Sequence, residues 1–175
     1  REDNPRLDVR LVPAHRQPHL VVVDSRLETP LDARLFDAPD QGGPRQVWIA
    51  HAVRDAGREH ALMARGAQLL HLPGPGNKVD LHALMRTLAD REVNELHVEA
   101  GHKLNGSLWQ AGCVDELLVY MAPRLLGDGS RLVAMPPSTH LPVDADLQFT
   151  HLAAVGDDVR LMVRQRASQR FLLHS

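Results

Sequence analysis

The sequence predicts an α/β fold in which a mostly parallel sheet carries flanking helices and ends in a C-terminal antiparallel hairpin. Three observations lead there. Short apolar runs alternate along the chain with segments of helical period, the rhythm of βαβ units. Near the carboxyl end two longer runs flank Gly156-Asp157-Asp158, a hairpin signal. The 175 residues are 43% hydrophobic, which suits one domain that buries a substantial core.

Residues 20–23 and 47–50 are the first two strands. Residues 52–65 read as a helix, with Ala56, His60, Leu62 and Met63 on its apolar side and Gly66 as its cap. Residues 67–72 form the next strand, and Pro73-Gly-Pro-Gly-Asn77 a loop. Asp80 caps a helix that runs to Asp90, with Leu81, Leu84, Met85 and Leu88 on one face. Residues 95–98 return to strand and lead into a helix over 103–111. The apolar run 116–121 is too short to span a membrane, suits a sheet interior, and is ended by Pro123. A Gly- and Pro-rich connection over 127–142 precedes the hairpin strands 147–155 and 159–166. Trp48, Trp109 and Tyr120 are expected in the core rather than as base-stacking platforms. Residues 167–175 form a polar tail in which Phe171-Leu-Leu173 could dock on a neighbour.

Charge and composition exclude several function classes. Twenty basic against twenty-two acidic residues give a formal charge of −2, so no bulk field recommends nucleic acid or an anionic membrane as partner. Any phosphate site must be local. The single Cys113 forms no internal disulfide, and no long uncharged apolar run provides a leader or a membrane helix, so a reducing cytoplasm is the expected setting. Among eleven histidines, His97-Val-Glu99 imitates half of a zinc nucleobase deaminase, but the Pro-Cys-x-x-Cys half is missing and no metal is expected. His15 and His19 are spaced i,i+4, yet Pro18 between them disfavours the helix that would align them. Asp115 and Glu116 are neighbours on a strand, point to opposite faces, and are assigned a structural role.

The stretch Leu96-His-Val-Glu-Ala-Gly-His-Lys-Leu-Asn-Gly-Ser-Leu-Trp109 concentrates the chemistry. A strand ending at Val98 leaves Glu99 at its carboxyl end, where open α/β sheets bind ligands, and aims the free amides of the next helix at an anion. Gly101 either takes a positive φ or lets a phosphate approach bare backbone. Taken alone, the same residues are equally read as a simple strand-to-helix turn, because Gly101 and Gly106 complete neither standard glycine-rich fingerprint.

Val98-Glu-Ala-Gly101, Leu108 to Gly112, Val114-Asp-Glu-Leu117 and Ala122-Pro-Arg-Leu-Leu-Gly127, read as one unit, resemble the reductase domain of the bifunctional riboflavin-biosynthesis deaminase/reductase. The resemblance extends to Arg1-Glu-Asp-Asn-Pro-Arg-Leu-Asp-Val-Arg10 and to Leu20-Val-Val-Val-Asp-Ser25, in matching order and spacing. It implies a dihydrofolate-reductase-like fold and the NADPH-dependent reduction of 5-amino-6-(5-phosphoribosylamino)uracil to the ribitylamino product. Residues 1–166 then form the reductase domain, lacking the opening strand and helix of the family, with 167–175 as the tail. The resemblance also implies a covalently linked upstream zinc deaminase domain. A sheet without its opening strand exposes an edge or a face, so a homo-oligomer is expected.

Carried over by motif, Glu99, Arg10 and Leu7 take substrate-contacting positions, and Asp3, Ser25, Gly101, His102, Lys103, Leu104, Asn105, Gly106 and Ser107 take cofactor-contacting ones. The types fit. A strand-end carboxylate can accept bonds from ribose hydroxyls, the Arg10 fork can hold a phosphate in bidentate fashion, and turn amides can meet phosphate oxygens. Plainer roles stand beside these: Glu99 as a helix cap, Arg10 and Lys103 as surface charges, Asp3 capping the Asn4-Pro5 turn, and Ser25 closing a strand with Asp24. No catalytic residue is assigned, since hydride chemistry belongs largely to the cofactor. Two other functions remain open: a non-catalytic nucleotide-binding or dimerisation module of the same fold, and a related reductase with a different substrate.

Overall fold

The computed structural model describes residues 4–125, 127–129, 131–136 and 147–165. Asp3, residues 130 and 137–142 of the 127–142 connection, and the 167–175 tail therefore lie outside the described residues. The chain divides into two compact units, one ending at Asn94 and the other starting at Glu95.

The first unit is built on a parallel sheet of order β1 (Leu20–Val23), β2 (Val47–His51) and β3 (Ala67–His71). Leu20 pairs with Val47, and Val47 with Ala67. All five residues of β2 are buried, as a strand paired on both sides and covered on both faces requires. Side chains alternate between two cores. Leu20, Val47, Ile49 and Ala67 pack with Leu27 and with Leu62 of α1 (Ala56–Ala64). Trp48, Ala50 and Leu70 pack with Val79 and with Leu84 and Leu88 of α2 (Leu81–Ala89). The period-two pattern of the strands thus makes a three-layer arrangement.

Helix α1 starts at Ala56, not at residue 52. Asp55 caps it by accepting from the Arg58 amide at 3.0 Å, and Glu59 returns the bond to the Asp55 amide at 3.3 Å. The amides of Ala52 and Val53 are instead donated to the Ser25 carbonyl. Met63, expected on the apolar side, is half exposed, so Leu62 alone anchors the helix. Asp80 caps α2 as its sequence implies, accepting from the Ala83 amide at 2.9 Å. The segment expected as a plain loop is a tight hairpin in which β4 (Pro73–Gly74) pairs with β5 (Lys78–Val79) across a 3-10 turn.

The second unit contains α3 (His102–Gln110) and an antiparallel sheet of order β6 (Glu116–Met121), β8 (Asp158–Gln165) and β7 (Leu147–Val155). The hairpin forms as predicted. Gly156 alone takes a positive φ of 60° in its two-residue turn, the pattern of a type II′ connection. A bulge at Thr150 shifts the β7 register between Phe149 and His151. Glu116 lies opposite Arg164 and accepts from its Nε at 2.7 Å, which gives that carboxylate the structural role assigned to it. Tyr120 is 55% exposed rather than in the core, because β6 presents that position to the surface.

Residues 95–98 do not form the expected strand. Leu96 and Val98 are 37% and 42% exposed, and the segment has no ladder partner among the described residues. An apolar run becomes a strand only where a neighbouring edge takes its hydrogen bonds. Among the described residues no helix is long and apolar enough to cross a membrane.

Candidate functional site

Within the second unit, α3 begins at an unobstructed amino end. Gly101 is its N-cap, with φ −71° and ψ 161°, and no side chain caps the helix. The positive φ considered for this glycine is absent. Its other use remains: a Cβ at Gly101 would meet no atom within 4 Å. The amides of His102, Lys103 and Leu104 are first-turn groups with no acceptor inside the helix, the first intrahelical bond running from Asn105 to the Gly101 carbonyl. Ala100, Gly101, His102, Lys103 and Leu104 line a concavity of about 300 Å³. Free amides and the positive end of the helix dipole make this surface attractive to an anion.

The other members of that motif have different work. Asn105 donates through Nδ2 to the carbonyls of Ala100 and Leu132, both at 3.1 Å, which holds the turn before α3 against the 131–136 segment. Gly106 is buried, and a Cβ there would lie 2.1 Å from the Ala134 carbonyl oxygen. This glycine is required by chain packing. Ser107 donates its hydroxyl to the Lys103 carbonyl at 3.1 Å, within its own helix. Lys103 is exposed.

Glu99 precedes the helix on the irregular segment and does not cap it. Its side chain is 71% exposed and stands 3.5 Å from His97 Nε2. Such a carboxylate is available to accept bonds from a bound molecule.

In the first unit, Leu7 and Arg10 lie on a segment without regular structure that side chains nevertheless tie down. Gln17, buried, accepts from the Val9 amide at 2.8 Å and donates to the Val9 carbonyl at 2.9 Å, copying a ladder pair. Arg45 donates to the carbonyls of Arg6, Leu7 and Leu35, and Leu7 takes a φ of 54° beneath this clamp. Arg10 donates through Nη1 to Asp8 Oδ1 at 3.1 Å. The Asp8 side chain is 1% exposed and that of Arg10 59%, so a buried acid holds an accessible base. Sequence reasoning passed over Asp8, Gln17 and Arg45. The signal for Asp8 was present in the alternation Arg6-x-Asp8-x-Arg10, which places like-facing charges two apart on an extended chain.

Ser25 follows β1 at the carboxyl end of the parallel sheet. Its Oγ accepts from the Val79 amide at 3.2 Å, leaving the hydroxyl proton without an acceptor among the described residues. Asp24 beside it is buried and accepts from both the amide and the hydroxyl of Thr29 at 2.6 Å. Burial alone would push the Asp24 carboxyl up. The Thr29 hydroxyl and the amides of Glu28, Thr29 and Arg26 more than offset it, and the pKa lies below the usual aspartate value. The charge closes the 24–29 turn on which Ser25 sits, and Arg58 seals it by donating to the carbonyls of Leu27 and Thr29.

The family model described as RibD C-terminal domain matches residues 1–161. The riboflavin biosynthesis protein RibD of Escherichia coli K12 is 36% identical over 147 residues, 83% of this chain and 38% of that protein. A Buchnera aphidicola protein named 5-amino-6-(5-phosphoribosylamino)uracil reductase is 33% identical over 88 residues, 49% of this chain and 42% of its own length. Among solved structures, Acinetobacter baumannii RibD superposes with a TM-score of 0.73 over 93% of this chain and 43% of that one, at 24% identity, a likeness of fold. The chain thus spans less than half the length of these relatives.

Proposed function

This chain belongs to the RibD C-terminal domain family, and on that premise we propose that it carries the reductase step of riboflavin biosynthesis. The reaction is the NADPH-dependent reduction of 5-amino-6-(5-phosphoribosylamino)uracil to its ribitylamino product. The observation that carries the reading is the amino end of α3, where three amides without an acceptor among the described residues stand beside a glycine with open space above it.

The residues present fit a nucleotide phosphate. The surface lined by Ala100 to Leu104 is a shallow, open depression of about 300 Å³, and in this proposal it takes only the phosphate-bearing part of the dinucleotide. The amides of His102, Lys103 and Leu104 hold phosphate oxygens, and the Lys103 ammonium adds charge. Ser25 donates its remaining hydroxyl proton to the cofactor. Asn105 and Gly106 shape this surface from behind through Leu132 and Ala134. When bound, the nicotinamide supplies hydride to the former anomeric carbon of the opened ribose. Arg10 binds the substrate phosphate through its guanidinium fork, Leu7 packs against the substrate, and the Glu99 carboxylate accepts from ribose hydroxyls or pyrimidine N–H groups. Positioning of this kind supplies much of the acceleration in a hydride transfer.

The polypeptide that carries this chain also contains an upstream deaminase domain in this proposal, acts as a homo-oligomer, and works in the cytoplasm. The test is consumption of NADPH by the purified full-length protein, followed by loss of dihydronicotinamide absorbance after addition of the phosphoribosylaminouracil. Stoichiometric ribitylamino product is the expected result. A folded protein that consumes no NADPH overturns the proposal, and equal rates with NADH overturn the cofactor assignment.

A further inference from the structure

Asp8 sits between the two residues assigned to the substrate and has no part in the reaction as proposed. Its buried carboxylate is divided: Oδ1 accepts from Arg10 Nη1 at 3.1 Å, while Oδ2 forms an ion pair with Arg6 Nε at 3.4 Å and has no hydrogen-bond partner among the described residues. Arg6 has other partners besides Asp8, its Nη atoms donating to Asp40 at 2.9 and 3.1 Å and to the Ala38 carbonyl at 2.6 Å. Burying this charge carries a desolvation cost that the ion pair with Arg6 offsets in part. The charge also holds Arg10, whose long side chain is otherwise exposed and would lose rotamer freedom on meeting a ligand.

We infer that Asp8 is a positioning residue that fixes the Arg10 guanidinium for a phosphate monoester. The inference rests on the reading of Arg10 as ligand of the substrate phosphate. Of the five N–H donors of an arginine, one goes to Asp8 and four remain for phosphate oxygens. The carboxylate is withdrawn from the surface and does not contact the anion, and the charges of Arg6 and Arg45 near it offset its own. The Arg45 clamp on the Arg6 and Leu7 carbonyls fixes the backbone on one side of Asp8, and the Gln17 pair with Val9 fixes it on the other. Asp8 therefore has a fixed base from which to aim Arg10.

The experiment is a double-mutant cycle of Asp8→Asn and Arg10→Ala in the full-length protein, read as KM for 5-amino-6-(5-phosphoribosylamino)uracil and, separately, kcat. Asp8→Asn is expected to raise KM roughly three- to tenfold with kcat within about twofold, and to have less than about a twofold effect once Arg10 is alanine. The same factor in both backgrounds overturns the inference, as does a loss confined to kcat. A second measurement needs no substrate and reads the wild-type protein. The Arg10 side chain in the wild-type protein should give slowed rotation about its Cζ–Nη bonds by nitrogen NMR, Arg10→Ala serving only for assignment. Freely averaged Nη signals overturn the inference whatever the kinetics. Failure of the underlying reading looks different: slowed Arg10 rotation with a KM indifferent to Arg10→Ala removes the phosphate role but leaves the Asp8 contact standing.

Discussion

Two glycines of the α3 motif, five residues apart, are expected to respond to substitution in opposite ways. In Gly106→Ala the new Cβ would fall 2.1 Å from the Ala134 carbonyl oxygen and 2.9 Å from its carbon, backbone atoms that cannot rotate aside. The 131–136 segment must withdraw. Overpacking of this kind costs about 1–3 kcal/mol. Withdrawal also endangers the Ala134 amide bond to the His102 carbonyl at 2.9 Å and the Asn105 bond to the Leu132 carbonyl, together about 1–2 kcal/mol. Alanine returns about 1 kcal/mol of helix propensity, which leaves a net loss of about 1–4 kcal/mol. Gly101→Ser meets open space in a backbone conformation that serine adopts readily, and a serine N-cap is better than glycine by a few tenths of a kcal/mol. That side chain occupies the ground where the phosphate is proposed to approach, so NADPH affinity should fall while stability does not. Urea unfolding followed by circular dichroism, with NADPH titration of the same samples, separates the effects. Wild-type stability in Gly106→Ala would refute the packing argument, and wild-type NADPH affinity in Gly101→Ser would refute the phosphate assignment.

Glu99→Gln should lower turnover while leaving the unfolding midpoint unchanged within about 0.5 kcal/mol, because the side chain is 71% exposed and outside any core; wild-type turnover removes Glu99 from the site. Asp24→Asn should cost about 1–2 kcal/mol at neutral pH through the bonds to Thr29. The Asp24 pKa is depressed by folding, so its contribution is complete above the unfolded value of about 3.9 and is lost as pH falls through the lower folded value. Stability of the wild-type protein measured against pH should therefore drop more steeply below about pH 4 than that of the variant, and parallel curves would contradict the assignment. Arg45→Ala should raise KM for the phosphorylated pyrimidine and cost about 2 kcal/mol of stability, since it frees three carbonyls that now hold residues 6, 7 and 35. An unchanged KM would separate the clamp from the site.

The elements that sequence placed well are those whose signals are local. Strand β1 and strand β6 end where their apolar runs end, Asp80 caps α2 through its own side chain, and Gly156 selects the hairpin turn. The failures concern tertiary partners. Residues 95–98 carry strand-like composition, but hydrogen bonds come from a neighbour and the described residues supply none. Helix α1 starts four residues after the point its sequence suggests, because nothing in Ala52 and Val53 reveals that their amides are taken by the Ser25 carbonyl, 27 and 28 positions earlier.

The same distinction runs through the site. Gly101 and Gly106 are indistinguishable as letters in a motif, and only Ala134, remote in sequence, shows that one is glycine for its neighbour and the other has room for a ligand. Asn105 and Ser107, which the motif offers as cofactor contacts, spend polar atoms on the turn and the helix, and Ser107 can serve a phosphate only by giving up its bond to Lys103. Motif matching therefore locates a functional region more securely than it apportions roles inside it. Roles follow from which donors remain unspent after folding: by that criterion the amides of His102, Lys103 and Leu104, the Ser25 hydroxyl and the Arg10 fork are available to a ligand. The Asn105 amide is committed to the scaffold, so its replacement should disturb cofactor affinity only through the turn that Ala100 and Leu132 share with it.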